Sequence, residues 1–406
     1  MDLCRIRLIN VNGFLERERL IREGEPMDSQ TKVFEPGDEA TKYAIVSHRW
    51  IEGAEVDYQE MTKLAEMKEA KQNEIRERLG YKKIIRSCEQ ALRDGYKYLW
   101  IDTCCINKPD ISELSRSIKS MYRWYKNSSV CYAYLHDITD LSFPTASSEK
   151  RYPDSKGWPV WFSRGWTLQE MIAPVDVWFF NKDWKALGDK RTLAPTLSRI
   201  TRVPQHILTD RFSPNNRPCA AQIMSWAADR TTGEVEDKAY SLFGLLGVNI
   251  PVMYGEGKEA FRRLQLEFVR EANDGSIFAW GFHRDSQRSG SILADDPSFF
   301  RGCENMELIT PDEYLRHHRF QMPQLWLMPY IRRDRYDPWV MTNRGIQCRT
   351  FLRPCVHSRL HFETPLPCRF GPSGPPVSIK LALWQDDFYR YFTSPEEKFP
   401  TKFTAR

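Results

Sequence analysis

No C-x-x-C pair occurs among the ten cysteines, which are scattered from Cys4 to Cys368. Their spacing excludes the common thiol-redox motif. The loose group Cys348, Cys355, His357, His361 and Cys368 fits no zinc template, so no metal site is expected. No charge of one sign dominates: 59 Lys and Arg stand against 54 Asp and Glu, a net charge of +5 over 406 residues. Basic and acidic residues are interleaved, which argues for a mixed, solvated surface and against a nucleic-acid partner. No apolar run approaches the roughly 20 residues of a membrane span. The nearest, "AYSLFGLLGVNIPVMYG", is broken by Gly244, Gly247, Asn249 and Pro251. The opening "MDLCRIRLIN" lacks the apolar core and small-residue cleavage site of a secretory signal. These absences predict a cytoplasmic protein with reduced, buried thiols and no membrane anchor. No internal repeat is visible.

What is present is a globular composition, 41% apolar and 28% charged, in a chain long enough for two or three domains. "CRIRLINV" alternates like a strand. In "KYAIVSHRW", a buried strand over Tyr43–Val46 delivers Ser47, His48, Arg49 and Trp50 to its carboxyl edge. "YKKIIRSCEQALRDG" has Ile84, Ile85, Cys88, Ala91 and Leu92 at helical spacing, with Gly95 suited to the position just past the helix end. "YKYLWID" is a second strand ending at Asp102. The next helix carries a capping-box pair, Asp110 and Glu113, and a stripe of Leu114, Ile118, Met121, Tyr122 and Tyr125. "SVCYAYLHD" is a third strand. In "WFSRGWTLQEMIAP", Ser163 reads as a helix N-cap and Pro174 as the stop. "VDVWFF" is a fourth strand.

Strands alternating with helices over short connections predict an α/β fold with a parallel sheet flanked by helices. Such sheets bind ligands beyond the carboxyl ends of their strands, which is where Ser47–Trp50 and Asp102–Cys105 would lie. Residues 186–275 read as a helical segment: two helices about a turn at Gly233, then an amphipathic helix with Ala260, Phe261, Leu264 and Phe268 inward. Residues 276–406 read as a β-rich region, a small sandwich or barrel. The chain stops soon after the strand-like "SIKLALW", which leaves open that it is part of something longer.

Several of these stretches together resemble one family. "YAIVSHRW", "GYKYLWIDTCCINK", "ELSRSIKSMYRWYKNSSVCYAYLHD" and "WFSRGWTLQEMIAPVDVWFF" are similar to the fungal heterokaryon-incompatibility (HET) domain, over core motifs at 40–185 of a domain taken as 1–185. "SWAADRTTGEVEDKAYSLFGLLGVNIPVMYGEGKEAFRRLQLEFV" resembles the helical segment that often follows it. The family usually has Trp-Gly where this chain has "WIEG". The resemblance implies fungal non-self recognition, in which HET domains trigger cell death after incompatible cells fuse. It also implies partners: a homo-oligomer, other HET-like domains, or an upstream sensor. "YGEGK" lacks phosphate-loop spacing, so this chain carries no sign of the sensor's nucleotide-binding core.

HET domains also resemble, more distantly, the Toll/interleukin-1 receptor (TIR) domain, a flavodoxin-like fold. Many TIR domains carry Ser-x-x-Trp-x-x-x-Glu after the third strand; here Ser163, Trp166 and Glu170 have that spacing. The resemblance implies that Glu170 is the catalytic carboxyl for cleaving nicotinamide adenine dinucleotide (NAD) at the nicotinamide–ribose bond. NAD would then be a substrate, and no cofactor is implied. Ser47, His48, Arg49, Trp50, Asp102 and Trp166 are the candidate substrate-binding residues. A carboxylate can stabilise an oxocarbenium-like centre, and the leaving group is already cationic. Trp50 or Trp166 would stack on a ring and Arg49 would pair with a phosphate. Three alternatives stay open. Glu170 can instead form an internal ion pair with Arg164, Arg49 or another arginine. The protein can be a non-catalytic assembly module. Cys104 or Cys105 can act with His48 and Asp102 as a cysteine hydrolase. Arg230, Glu236 and Asp237 read as a structural network tying the helical segment to the sheet domain.

Overall fold

The computed structural model describes residues 5–25, 32–210, 212, 217–282, 291–319, 339–343, 345–348, 350–355, 358, 360–384 and 387–390. They form two compact units, residues 1–216 with 230–255 and residues 217–229 with 256–406. Among the described residues no helix is long and apolar enough to cross a membrane.

The first unit is built on a seven-stranded sheet. Its strands are β1 (Ile6–Asn10), β2 (Phe34–Gly37), β3 (Ala44–His48), β4 (Tyr98–Trp100), β5 (Val130–Tyr134), β6 (Val177–Phe180) and β7 (Ala186–Asp189). They lie in the order β2-β1-β4-β3-β5-β6-β7. The four central strands are parallel, with Ala44 beside both Leu99 and Val130, and Cys131 beside Val177. The sheet is mixed because β1, β2 and β7 add antiparallel edges. Every residue of β3 is buried and β5 nearly so, as expected of strands covered on both faces. The chain steps from β3 outward to β4 and then back across β3 to β5. The switch point of the doubly wound centre therefore falls between the carboxyl ends of β3 and β5.

Six helices complete the frame: α1 (Val11–Glu23), α2 (Tyr58–Lys63), α3 (Glu69–Glu77), α4 (Leu79–Arg93), α5 (Ile111–Asn127) and α6 (Thr167–Ile172). α4 ends as its sequence suggests. Gly95 has φ +80, its N–H bonds Leu92 O at 3.1 Å, and Tyr96 N–H bonds Ala91 O at 2.8 Å. That is the paired helix stop that a left-handed glycine permits. At the other end, Gly80 lets the chain at Ala54–Glu55 lie against the first turn of α4. A Cβ there would sit 2.4 Å from Ala54 O and 2.7 Å from Glu55 Cα.

α5 is half of the capping box expected. Asp110 accepts from Glu113 N–H at 3.0 Å, but the Glu113 carboxylate turns to Arg7 and to Asn107 N–H. Its buried stripe keeps Ile118, Met121 and Tyr125 but adds Trp124, while Leu114 and Tyr122 are only half-buried. Tyr43 Oη donates to Trp124 O at 2.6 Å, and Tyr125 Oη to Val46 O at 3.0 Å, so α5 is stitched to β3.

The stretch 160–174 is not one helix capped by Ser163. Val160–Ser163 is a 3₁₀ turn, and Ser163 Oγ bonds back to Val160 O. α6 starts at Thr167 with no side-chain cap. The break exists because Ser163–Gly165 pairs with Thr231: Thr231 N–H bonds Ser163 O at 2.7 Å and Gly165 N–H bonds Thr231 O at 2.8 Å. All six residues of α6 are buried, and the ammonium of Lys190 closes its carboxyl end on Met171 O and Pro174 O.

The helices of residues 186–275 are divided between the units. Ala194–Thr201, Gln205–Thr209, Asp237–Tyr240 and Phe243–Leu246 belong to the first, and Ala220–Ala227 and Glu259–Glu271 to the second. The turn at Gly233 thus joins three helices rather than two. In the second unit Ala260, Phe261, Leu264 and Phe268 are buried as their spacing predicts. Its β-rich part is a five-stranded antiparallel sheet, with Met306–Leu308 and Arg353–Pro354 pairing His361–Phe370, then Pro376–Trp384 and Asp387–Arg390. A separate two-stranded pair is formed by Val340–Thr342 and Gly345–Gln347. Arg390 lies over the buried Trp280 ring at 3.7 Å and bonds Phe278 O at 2.8 Å.

Candidate functional site

β3 positions the site. Its pleat sends Ser47 and His48, its last two residues, to opposite faces. On the Ser47 side the Trp161 indole N–H donates to Ser47 Oγ at 2.9 Å, and Ser47 Oγ–H is bonded to Glu170 Oε2. Glu170 is 5% exposed. Burial pushes its carboxyl up to about 8. The charge of Asp102 adds to the rise, while hydrogen bonds from Ser47 and Tyr125 and the more distant Arg164 hold it back.

Among the described residues no cation lies within ion-pair distance of Glu170, so the pair with Arg164 or Arg49 does not form. Arg230 instead spends its Nη1 on Arg164 O at 2.8 Å and on Thr167 Oγ1 at 3.0 Å. The indole beside Glu170 is that of Trp161. Trp166 is half-buried and hydrogen-bonds Asp237, whose other partner is Tyr254 Oη at 2.9 Å. Glu236 accepts from Gly255 N–H at 2.7 Å. Arg230 and Asp237 therefore tie residues 230–255 to the segment around α6, while the bond of Glu236 to Gly255 stays within residues 230–255.

On the His48 side the imidazole is 1% exposed. Its Nε2 is 3.7 Å from Asp102 Oδ1 and 3.9 Å from Glu55 Oε1. Lys83 Nζ meets both oxygens of Glu55, at 2.6 and 2.7 Å. The Trp50 indole, 46% exposed, donates to Asp102 Oδ2 at 2.7 Å, and Lys108 Nζ stands 3.6 Å from its ring centroid. Arg49 is exposed. Burial holds His48 well below its ordinary range, and the charges of Lys83, Lys108 and His136 push the same way. Burial also raises Asp102, against the pull of Lys108 and of the Trp50 N–H. Lys83 and Lys108 are lowered by burial and supported by Glu55 and Asp102. Cys104 is fully buried and its thiol is pushed well up by burial. It is the opposite of an activated thiolate, so of the two thiols in the cysteine-hydrolase alternative Cys104 is ruled out as nucleophile, and Cys105 is buried too.

Ser47, His48, Arg49, Trp50 and Asp102 thus meet at one sheet edge. Glu170 joins them through Ser47, and Trp166 lies apart on Asp237. Sequence reasoning missed Trp161, Tyr125, Glu55, Lys83 and Lys108. Lys83 did leave a signal, because it falls on the buried stripe of α4, one turn before Ser87. Glu55 left none, since only Gly80 brings its loop onto that helix. An open groove of about 700 Å³ lies elsewhere in this unit, lined by residues that include Arg86, Arg93, Asp176, Trp178, Trp184 and Lys185. It shares no residue with the site just described.

Comparison with known proteins bears on this edge. Residues 43–157 match the family model of the heterokaryon incompatibility protein (HET). The matched segment includes every member of the His48 cluster and ends before α6. The chain is also 40% identical over 251 residues to the vegetative incompatibility protein HET-E-1 of Podospora anserina. The aligned part is 60% of this chain and 17% of that relative, so the chain spans only a small part of the relative's length. No solved structure matches. Over residues 43–157, from β3 through β5, this chain contains a heterokaryon-incompatibility (HET) domain.

Proposed function

We propose that this chain is a cytoplasmic effector of fungal vegetative incompatibility, and that its HET-bearing unit kills by hydrolysing NAD at the nicotinamide–ribose bond, as a TIR-like domain would. The observation that carries the reading is Glu170: a buried carboxyl at the carboxyl edge of a parallel sheet, with no cation in ion-pair range among the described residues and its acidity shifted to about 8. A buried carboxyl without a counter-ion costs stability that an uncharged side chain of the same shape would not, and such groups cluster at functional sites. A cationic nicotinamide riboside brought beside it would favour its ionised form, which is the form that stabilises an oxocarbenium-like centre. Arg49 and Trp50, both exposed, are available to the phosphates and a ring. Assembly with further copies or with other HET or TIR-like domains, under an upstream sensor, would switch it on.

The test is nicotinamide release by the purified chain, dilute and crowded, with Glu170→Gln beside it. Release by wild type that disappears in a folded Glu170→Gln protein supports the reading. No release in any assembled state sinks it.

One observation favours a second reading, a non-catalytic assembly module. Glu170 is engaged by Ser47, and Ser47 by Trp161, with little of the carboxyl open to a substrate. On that reading the exposed Arg49–Trp50 edge is a docking surface, and Glu170→Gln leaves incompatibility signalling intact.

A further inference from the structure

Three buried polar atoms at the carboxyl ends of β3 and β4 lack a hydrogen-bond partner: His48 Nδ1 and Nε2, and Asp102 Oδ1, the last facing Nε2. The same loop holds two more, Thr103 Oγ1 and Asn107 Oδ1. Such groups are rare in folded proteins and mark places where water or a ligand completes the bonding. The 3.7 Å between His48 Nε2 and Asp102 Oδ1 is too long for a direct bond, yet one oxygen atom can reach both. A water seated there donates one hydrogen to each acceptor and turns a lone pair outward. The neighbouring thiol of Cys104 is buried and pushed well up, so it does not serve this histidine–carboxylate pair as a nucleophile.

We propose that His48 and Asp102 hold and deprotonate the attacking water, a role separate from that of Glu170. The inference rests on the NAD reading above. The water oxygen bonds to ribose C1′. The bond from C1′ to the nicotinamide nitrogen breaks, and its electron pair stays on that nitrogen and cancels the ring's positive charge. The water proton passes to His48 Nε2 and then to solvent, so water and NAD give ADP-ribose, nicotinamide and one proton. The imidazole is neutral at neutral pH and free to accept, and Asp102 stabilises the imidazolium that forms. The charged and titratable groups facing the ring are Glu55 from the loop before α2, Lys83 from α4, Asp102 and Lys108 from the loop after β4, and His136 after β5.

The experiment compares wild type, His48→Gln and Asp102→Asn for kcat, KM, the pH profile of kcat, and affinity for a carbocyclic NAD analogue that cannot be cleaved. A crystal structure of the wild type is read for an oxygen within hydrogen-bond distance of both atoms. Expected are an ordered water there, a fall in kcat of about 100-fold or more in each folded variant, analogue affinity within threefold, and a shifted pH profile in Asp102→Asn. A purely structural role would move melting and affinity together and leave the pH profile in place. Wild type releasing nicotinamide while folded Asp102→Asn keeps kcat within threefold overturns the pair and spares the NAD reading. A collapsed, water-free gap overturns the pair even without kinetics. Wild type that releases no nicotinamide overturns the NAD reading, and the pair's role in it falls with it.

Discussion

Ser47 and His48 are consecutive residues of one strand, and their two surroundings are built on different rules. Around Ser47 the hydroxyl serves both Trp161 and Glu170, and Tyr125 is tied to the strand backbone. Around His48 the charges are more numerous, with Glu55, Lys83, Asp102 and Lys108 all close, yet both ring nitrogens and one carboxylate oxygen go without partners. The first environment is a closed network whose members satisfy one another, and networks of that kind stiffen a core. The second keeps unspent hydrogen-bonding capacity inside a low-dielectric edge, which is where binding and proton transfer gain most. Both environments lie at the sheet edge, and they differ in how far their polar atoms are already used.

Lys83→Met tests the contrast most severely. It strips the cation from the mostly buried Glu55 and should cost about 3 kcal/mol in urea unfolding, the usual penalty for breaking a buried pair. A loss below about 1 kcal/mol would mean that Glu55 is effectively solvated and the His48 side is open rather than desolvated. Ser47→Ala comes next. It leaves the Trp161 N–H and the Glu170 carboxyl short of a partner each, for a loss of about 2 kcal/mol. If water replaces the hydroxyl at no cost, the two sides are more alike than the hydrogen bonds suggest. Trp50→Phe removes one hydrogen bond to Asp102 at a half-exposed position and should cost about 1 kcal/mol.

The two sides also diverge with pH, in opposite senses. Glu170 is raised in the fold, so its contribution is fully present below its unfolded value of 4.5 and is lost as pH climbs through about 8. Glu170→Gln should therefore match wild type in unfolding free energy near pH 4.5 and exceed it near pH 8.5. His48 is lowered, so the fold loses stability as pH falls below the ordinary histidine value of 6.5. His48→Gln should flatten that acid-side slope. Slopes of the same sign for both would break the comparison.

Much of the frame was legible in the chain. The apolar run at Tyr43–Val46, the striped helix closed by Gly95 and the run ending at Asp102 each became an element near its expected place, because burial on both faces leaves a continuous apolar signature that local pattern reveals. The antiparallel edges were not legible. β1 was seen as a strand, but nothing in "CRIRLINV" says that it pairs β4 in the antiparallel sense. The cap at Ser163 was misread for a related reason: the residue has the right chemistry for a cap, but a segment nearly 70 residues away pairs with its backbone and takes the turn out of the helix.

The site divides along the same line. Ser47–Trp50 and Asp102 were legible as strand-end residues, since position along a strand is a local property. That Trp161, and not Trp166, shields Glu170 was decided in three dimensions. Trp166 has helical backbone angles and its carbonyl accepts from Glu170 N–H at 3.4 Å, yet its side chain is taken up by Asp237, while Trp161 reaches Ser47. The order of the central strands β3, β4, β5 and β6 with the helices α4, α5 and α6 between them, and the residue types at the strand ends, were determined by the sequence alone through periodicity and burial. Which of those polar groups bond one another, and which stay unspent, was decided only by the tertiary structure, because a hydrogen bond depends on distances between atoms that the chain brings together from far apart.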